Sequence, residues 1–347
     1  MPISSSPYGD LPTGETAQLF TLTNSHGLKV TITNYGGIVV SILAPDRDGN
    51  FADIALGKAD LAGYLAGHPY FGAITGRVAG RVTHGKFSID GEDYSLVINN
   101  EPNHLHGGLV GFDKILWNAE VVSESGQDKL RLTHRDPDGA NGYPGNVDCR
   151  VDYSLTDEDE LVIDYQFSTD KATPLVVTNH SYFNLKGQGE GTILDHEIQI
   201  LANEVAVCDQ EMTLLGEKRS VEGQANDFRK PAVIADRLSG LHEGHGDGYF
   251  LPEGRTAEPR LVARVREPKS GRTLEALTTE PYLQFYTSAQ MEDGEPGKTG
   301  SYVQYSGVCL EAQEYPDSVN SPELGVGVIR PGENFTSTTI YRFGVEA

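Results

Sequence analysis

The chain has only three cysteines in 347 residues, Cys149, Cys208 and Cys309. None stands at CxxC spacing, and the odd number excludes a closed disulfide framework. Buried, unpaired thiols in a reducing, cytoplasmic setting are expected. Positive charge is also scarce. Lys and Arg total 27 against 50 Asp and Glu, a net charge of −23. That balance argues against nucleic acid and anionic membrane as partners, since both attract positive charge. A run of about 18 apolar residues is missing, so no membrane span is expected. The opening Met1-Pro2-Ile3-Ser4-Ser5-Ser6-Pro7-Tyr8-Gly9 has neither a basic nor an apolar stretch, and no signal peptide is expected. Walker A, GxGxxG, GxSxG and HExxH patterns are missing as well. Their absence removes the commonest signatures of nucleotide, serine-hydrolase and zinc-protease chemistry.

Helix is the other scarcity. Residues 60–65 and 231–238 read as short helices. A parallel sheet needs long crossovers between its strands, and these are not there. What the chain does have is 40 glycines and 18 prolines, set between segments that alternate apolar and polar residues. Strands are expected at 17–23 and 28–33 around Asn24-Ser25-His26-Gly27, and at 86–89 and 94–98 around the hairpin signal Asp90-Gly91. Another pair, 147–155 and 161–167, flanks an acidic turn. Further strands are expected at 120–123, 130–134, 197–201, 260–266, 273–277, 283–287, 308–312 and 336–343. Strands this frequent, with no linker or repeat, predict one all-β antiparallel sandwich domain over residues 1–347.

Several segments carry chemistry. Thr178-Asn179-His180-Ser181-Tyr182-Phe183-Asn184-Leu185 continues an apolar strand expected at 174–177. It places an imidazole, the side chain that titrates nearest neutrality, among hydroxyls and amides. A hydrogen-bonded structural histidine is the plainer alternative. In Asn103-His104-Leu105-His106-Gly107-Gly108, strand alternation would put His104 and His106 on one face. They would serve as ligand contacts, a structural pair, or a metal pair for which the following stretch offers only Asp113. In Gly307-Val308-Cys309-Leu310-Glu311-Ala312-Gln313, alternation sends Val308, Leu310 and Ala312 to one face. Cys309, Glu311 and Gln313 go to the other. Glu311 is then a general base in a cleft or a carboxylate on a wet sheet face. Arg77 and Arg81 stand four apart among small residues. His242-Glu243-Gly244-His245-Gly246-Asp247 reads as an exposed polar loop, and Glu314 and Asp317 as solvated loop charges.

Taken together and in order, these blocks resemble the aldose 1-epimerase (galactose mutarotase) family. The likeness extends from Thr33-Asn34-Tyr35-Gly36-Gly37 through Tyr70-Phe71-Gly72-Ala73 and Gly76-Arg77-Val78-Ala79. It continues with Glu101-Pro102-Asn103-His104-Leu105-His106-Gly107-Gly108, Asn141-Gly142-Tyr143-Pro144-Gly145, residues 178–185 and Gln284-Phe285-Tyr286-Thr287. It ends with Cys309-Leu310-Glu311-Ala312-Gln313, Tyr315-Pro316-Asp317-Ser318 and Arg330-Pro331-Gly332-Glu333. The resemblance implies a galactose-mutarotase-like supersandwich binding a monosaccharide in an open cleft. It implies Glu311 as catalytic base, His180 as acid and His106 as a second active-site histidine. Arg81, Asp247 and Gln284 would be sugar ligands, with Tyr182 beside them. Asn179 and Ser181 would add to the polar lining. No cofactor or metal is implied. Glu311 would rest ionised and His180 protonated, near their ordinary pKa values of about 4.3 and 6.5. Two departures stand out. Gly80 replaces the usual Asn before the second arginine, and His245-Gly246-Asp247-Gly248-Tyr249-Phe250 replaces a Tyr-Asp-His-Asn-Phe block. A glycoside hydrolase, a non-catalytic sugar binder and an isomerase of another small molecule are the alternatives.

Overall fold

Alternation of apolar and polar residues builds three large antiparallel sheets, beside five two-stranded ones, in the computed structural model, which describes residues 3–210, 212–241 and 245–346. The largest has nine strands. In spatial order its long members are Asn118–Glu124, Gln127–Asp136, Val147–Leu155, Glu160–Thr169, Asn334–Val345, Arg272–Thr278 and Arg260–Arg266, with Glu197–Ile200 and Ala232–Val233 at the far edge. A five-stranded sheet runs in chain order through Ser4–Asp10, Thr16–Thr23, Lys29–Thr33, Val39–Pro45 and Phe51–Asp53. The third sheet, also of five strands, has the order Leu214–Ser220, Glu204–Cys208, Gly248–Phe250, Tyr282–Tyr286 and Cys309–Gln313. The all-β antiparallel architecture agrees with expectation.

The third sheet backs onto the nine-stranded one. Val308, Leu310 and Ala312 enter a core shared with Ile163, Tyr165, Leu274 and Tyr341. The Tyr341 hydroxyl donates to the Leu310 carbonyl at 2.8 Å. Burying these side chains contributes about 1.5–3 kcal/mol for each large residue. It also fixes the register, since a slip of one residue would turn Leu310 outward and Glu311 into the core.

Arg77 is a second pin. It is buried, donates to Asp136 Oδ2 at 2.7 Å, and donates to the carbonyls of Pro144 and Gly145 at 2.8 and 3.0 Å. These bonds satisfy a charge that burial would otherwise penalise by several kcal/mol.

Two local expectations are corrected, and a third holds to within a residue. The strand at 174–177 is broken into Thr173–Pro174 and Thr178–Asn179, which pair with different partners. The helix at 60–65 forms as Leu61–Ala66, with the Asp60 carboxylate capping Gly63 N at 2.9 Å. At 231–238 there is a short strand, Ala232–Val233, followed by tight turns at Ile234–Asp236 and Leu238–Gly240.

Candidate active site

The Thr178–Asn179 strand pairs with Ile74–Thr75, and Thr178 Oγ1 donates to the Ala312 carbonyl at 2.9 Å. His180 follows at once, with its N–H on Ala73 O at 2.8 Å and its carbonyl receiving Gly72 N at 2.9 Å. These bonds hold the imidazole against the polar face of Cys309–Gln313. His180 Nε2 lies 3.5 Å from Glu311 Oε2, and both residues are buried. The pair forms one end of a cavity of about 290 Å³ that also takes in His106, Arg81, Tyr182, Asp247 and Gln284. Glu311, His180, His106, Arg81, Asp247, Gln284 and Tyr182, the residues that the resemblance pointed to as catalytic or sugar-binding, therefore all line this cavity.

Its electrostatics differ from expectation. Burial removes water from both members of the pair and disfavours both charges. The Glu311 carboxyl is pushed up to about 8, countered by the Arg81 charge, and the His180 imidazole is pushed down to about 4. Near neutral pH the sugar-free pair holds one proton, and it sits on Glu311. The ordinary values expected from sequence belong to groups in water.

His106 is fixed by a backbone feature. Gly80 N–H donates to His106 Nδ1 at 3.1 Å, so Nδ1 is the acceptor and the neutral ring carries its proton on Nε2. Burial, then the neighbouring His180 and Arg81, hold His106 well below the usual histidine range. A neutral N–H donor results. The same-face pairing with His104 fails, because His106 leaves the short His104–Leu105 strand at φ 48°. His104 is structural: it contacts the Val97 carbonyl through Nδ1 at 2.6 Å and the Tyr143 hydroxyl through Nε2 at 2.7 Å.

The remaining polar groups are oriented from behind. Arg81 Nε donates to Asn100 Oδ1 at 2.9 Å. Asn226 Nδ2 donates to Asp247 Oδ2 at 3.0 Å. Gln284 sits opposite Gly248 in the ladder, next to Asp247. Tyr182 spends its hydroxyl on the Pro69 carbonyl at 2.8 Å, and its ring stacks on His180 with centroids 5.0 Å apart. It is a wall and support for the imidazole. Asn179 and Ser181 do not line the cavity. Asn179 binds Gly72 O at 2.8 Å and accepts from Ser181 Oγ at 2.6 Å.

Sequence reasoning missed several members. Tyr70 has φ 61° and packs against His106 at 4.5 Å and His180 at 6.0 Å between ring centroids. Tyr282 and Gln313 also line the cavity. They lie two residues from Gln284 and Glu311 on the same strand faces; alternation already places Gln313 there, and the same spacing could have found Tyr282. His245, expected in an exposed loop, is buried against the Tyr286 ring at 6.0 Å. His242, Glu243 and Gly244 lie outside the described residues. Glu314 and Asp317, expected to be solvated, are buried. Glu314 pairs with Arg255 at 3.4 Å, and Asp317 accepts from Asn320 Nδ2 at 2.9 Å. Cys309 lies beside the His180–Glu311 pair: His180, Cys309 and Glu311 each bring one ligand-type atom, all within 4.8 Å of one another.

A buried carboxylate beside a buried imidazole, in a polar cleft of a β-sandwich, is an arrangement that can do acid–base chemistry on a small polar substrate. Comparison with known proteins makes the class specific. The family model described as Aldose 1-epimerase matches residues 18–342. The chain is 42% identical to the galactose mutarotases of Mus musculus and Homo sapiens, over 99% of both chains in each case. It is 34% identical to the aldose 1-epimerase of Escherichia coli K12, over 96% of this chain and 97% of that one. Among solved structures, a GalM/aldose epimerase homologue from C. elegans superposes with a TM-score of 0.86 at 26% identity, covering 94% of this chain and 98% of its own. The chain belongs to the aldose 1-epimerase family, and it is an isomerase.

Proposed function

We propose that the chain interconverts the α and β anomers of a free aldohexose, such as D-glucose or D-galactose, by opening and reclosing the pyranose ring. The observation that carries this reading is the His180–Glu311 pair, 3.5 Å apart in a polar cavity. In the opening step Glu311 takes the proton of the anomeric hydroxyl, and the C1–O1 bond gains double-bond character. The C1–O5 bond breaks, its electron pair stays on O5, and His180 supplies the proton that O5 takes. Rotation about C1–C2 presents the other face of the aldehyde. Reclosure reverses both transfers. Each assisted transfer is worth about 100- to 10,000-fold.

The working form is ionised Glu311 with protonated His180. It carries the same single proton as the resting pair. Sugar hydroxyls donating to the carboxylate, together with the Arg81 charge, favour moving that proton to the imidazole. His106 offers its Nε2–H to the ring oxygen. Arg81, Asp247 and Gln284 hold the outer hydroxyls. Glycoside hydrolysis usually uses two opposed carboxylates. Here the partner of Glu311 is a histidine, and Asp247 is tied to Asn226.

We also read residues 1–347 as one domain, because the core cluster runs from Phe20 to Phe343 and the cavity draws on residues from Pro69 to Pro316. Among the described residues no helix is long and apolar enough to cross a membrane. The unpaired thiols of Cys149, Cys208 and Cys309 support a reducing cytoplasmic setting.

Polarimetry on freshly dissolved α-D-glucose and α-D-galactose, run beside a glycosidase assay, tests the reading. Accelerated decay to the equilibrium rotation is expected, with no glycoside cleaved. Decay at the buffer rate for both sugars, or cleavage, overturns it.

A further inference from the structure

Glu311 and Cys309 are two residues apart in the Cys309–Gln313 strand, so they leave it on the same face. His180 reaches that face from the neighbouring Thr178–Asn179 strand. The result is a nitrogen, a sulfur and a carboxylate oxygen within 4.8 Å of one another, all three residues buried. Ligand atoms about 2.0–2.3 Å from a zinc ion lie somewhat over 3 Å apart in a tetrahedron. The 3.5 Å between His180 Nε2 and Glu311 Oε2 already has that spacing. Proton transfer to and from a sugar requires nothing of a thiol, so Cys309 is a ligand-type group that the mechanism leaves unused.

We infer that the catalytic pair and Cys309 form an inhibitory site for a thiophilic divalent cation, with zinc as the type ion. The ion would bind through an imidazole nitrogen, a carboxylate oxygen and a thiolate. A water takes the fourth position. The charge balance suits a buried site. An ion of +2 displaces one proton from the Glu311 carboxyl and one from the Cys309 thiol, both protons pass to solvent, and the cluster is neutral. That neutrality avoids the large cost of burying an unbalanced charge. Hard cations lose the comparison, because Mg²⁺ and Ca²⁺ prefer all-oxygen shells of six or more ligands. Arg81 and His106 face the same carboxylate and imidazole, as do the hydroxyl-bearing Tyr182 and Tyr286. Arg81 keeps its charge and opposes the ion, so the affinity rests on the thiolate. Occupation removes the proton acceptor and the proton donor together, and inhibition is competitive with sugar.

The test is zinc chloride titrated against mutarotation in a non-coordinating buffer, with magnesium chloride as control. Zinc should suppress the rate, chelator should restore it, and magnesium should have no effect. Cys309→Ser should raise the half-inhibiting zinc concentration at least about tenfold. Cys208→Ser, which removes the thiol that lines the cavity itself, should leave the zinc sensitivity in place. Inhibition unchanged in Cys309→Ser, or lost in Cys208→Ser, overturns the proposal. The rate assay rests on the mutarotase reading, so a second measurement does not. Cobalt(II) added to the Cys208→Ser chain should give a thiolate-to-metal charge-transfer band and the intense visible bands of a four-coordinate ion. Their absence overturns the proposal even where Cys309→Ser fails to fold or no sugar is turned over.

Discussion

Glu311→Gln separates what the carboxylate does for chemistry from what it costs the fold. The substitution keeps the shape and removes both the proton acceptor and the titration. The mutarotation rate should fall by about 100- to 10,000-fold, the value of one general-base contribution. Sugar affinity should change little, because Arg81, Asp247 and Gln284 remain. The stability effect has a definite sign. The carboxyl titrates at about 8 in the folded chain and at 4.5 as an unperturbed group. Between those values the folded state holds a proton that the unfolded state has released, so wild-type stability falls as pH rises. At about 1.4 kcal/mol per pH unit, the interval amounts to on the order of 5 kcal/mol above pH 8. Gln carries no such cost. The variant should match the wild type near pH 4 and be increasingly the more stable toward pH 9. Urea unfolding at several pH values, with m checked for constancy, reads the stability. Polarimetry reads the rate. A wild-type-like rate refutes the base assignment. A stability difference that does not grow with pH refutes the burial argument.

The pair's activity should follow a bell in pH. It falls below about 4, where a second proton is added, and above about 8, where the last one leaves. An alkaline limb near 6.5 would instead mark a histidine in ordinary surroundings. Asp247→Ala should raise KM roughly 10- to 100-fold with a smaller change in kcat, matching a charge-assisted hydrogen bond of about 1.5–3 kcal/mol. An unchanged KM removes Asp247 from the sugar's ligands. Tyr282→Phe deletes a hydroxyl 3.5 Å from Gln284 Oε1. A KM raised about fivefold at constant kcat is expected, the effect of a neutral hydrogen bond of about 1 kcal/mol, and equal KM values refute the contact. Gln313→Leu removes a buried amide oxygen that has no hydrogen-bond partner among the described residues. The sugar supplies that partner on this reading, so KM should rise while urea stability holds. The reverse pattern refutes it.

The parts of the fold legible in the sequence are those where one rule dominates. Val147–Leu155 is recovered whole, because its hairpin partner follows an acidic turn and its buried positions alternate at the start of the strand. Val39–Pro45 was missed. Buried on nearly every residue at its start, it reads as an apolar run without period. Leu214–Ser220 was missed for the opposite reason, since it is exposed along most of its length. For the site, the family resemblance pointed to His180, Glu311, Arg81 and Asp247, and the fold brings all four to one cavity. Which groups would be buried was not legible, because burial depends on strands distant in the chain. The elevated Glu311 carboxyl and the enclosed Glu314 and Asp317 all follow from that long-range packing.

The two glycines that depart from the family pattern show how such differences are absorbed in three dimensions. At Gly80, with φ 78°, a Cβ would stand 2.7 Å from Pro316 Cβ and Cγ. A side chain there would have to displace the proline, and would disturb the backbone N–H that orients His106. The nearest amide is Gln313, whose Nε2 lies 3.7 Å from that Cβ position. At Gly248 the backbone needs no special φ, yet a Cβ would overlap the Tyr282 hydroxyl. The tyrosine occupies the volume that the family's larger residue would fill, and it brings its own donor beside Gln284. At both positions the space beside the glycine is filled by a side chain from elsewhere in the fold. Gln313 and Tyr282 both line the cavity, and exchanging either one should change the discrimination between sugars more than the rate of ring opening.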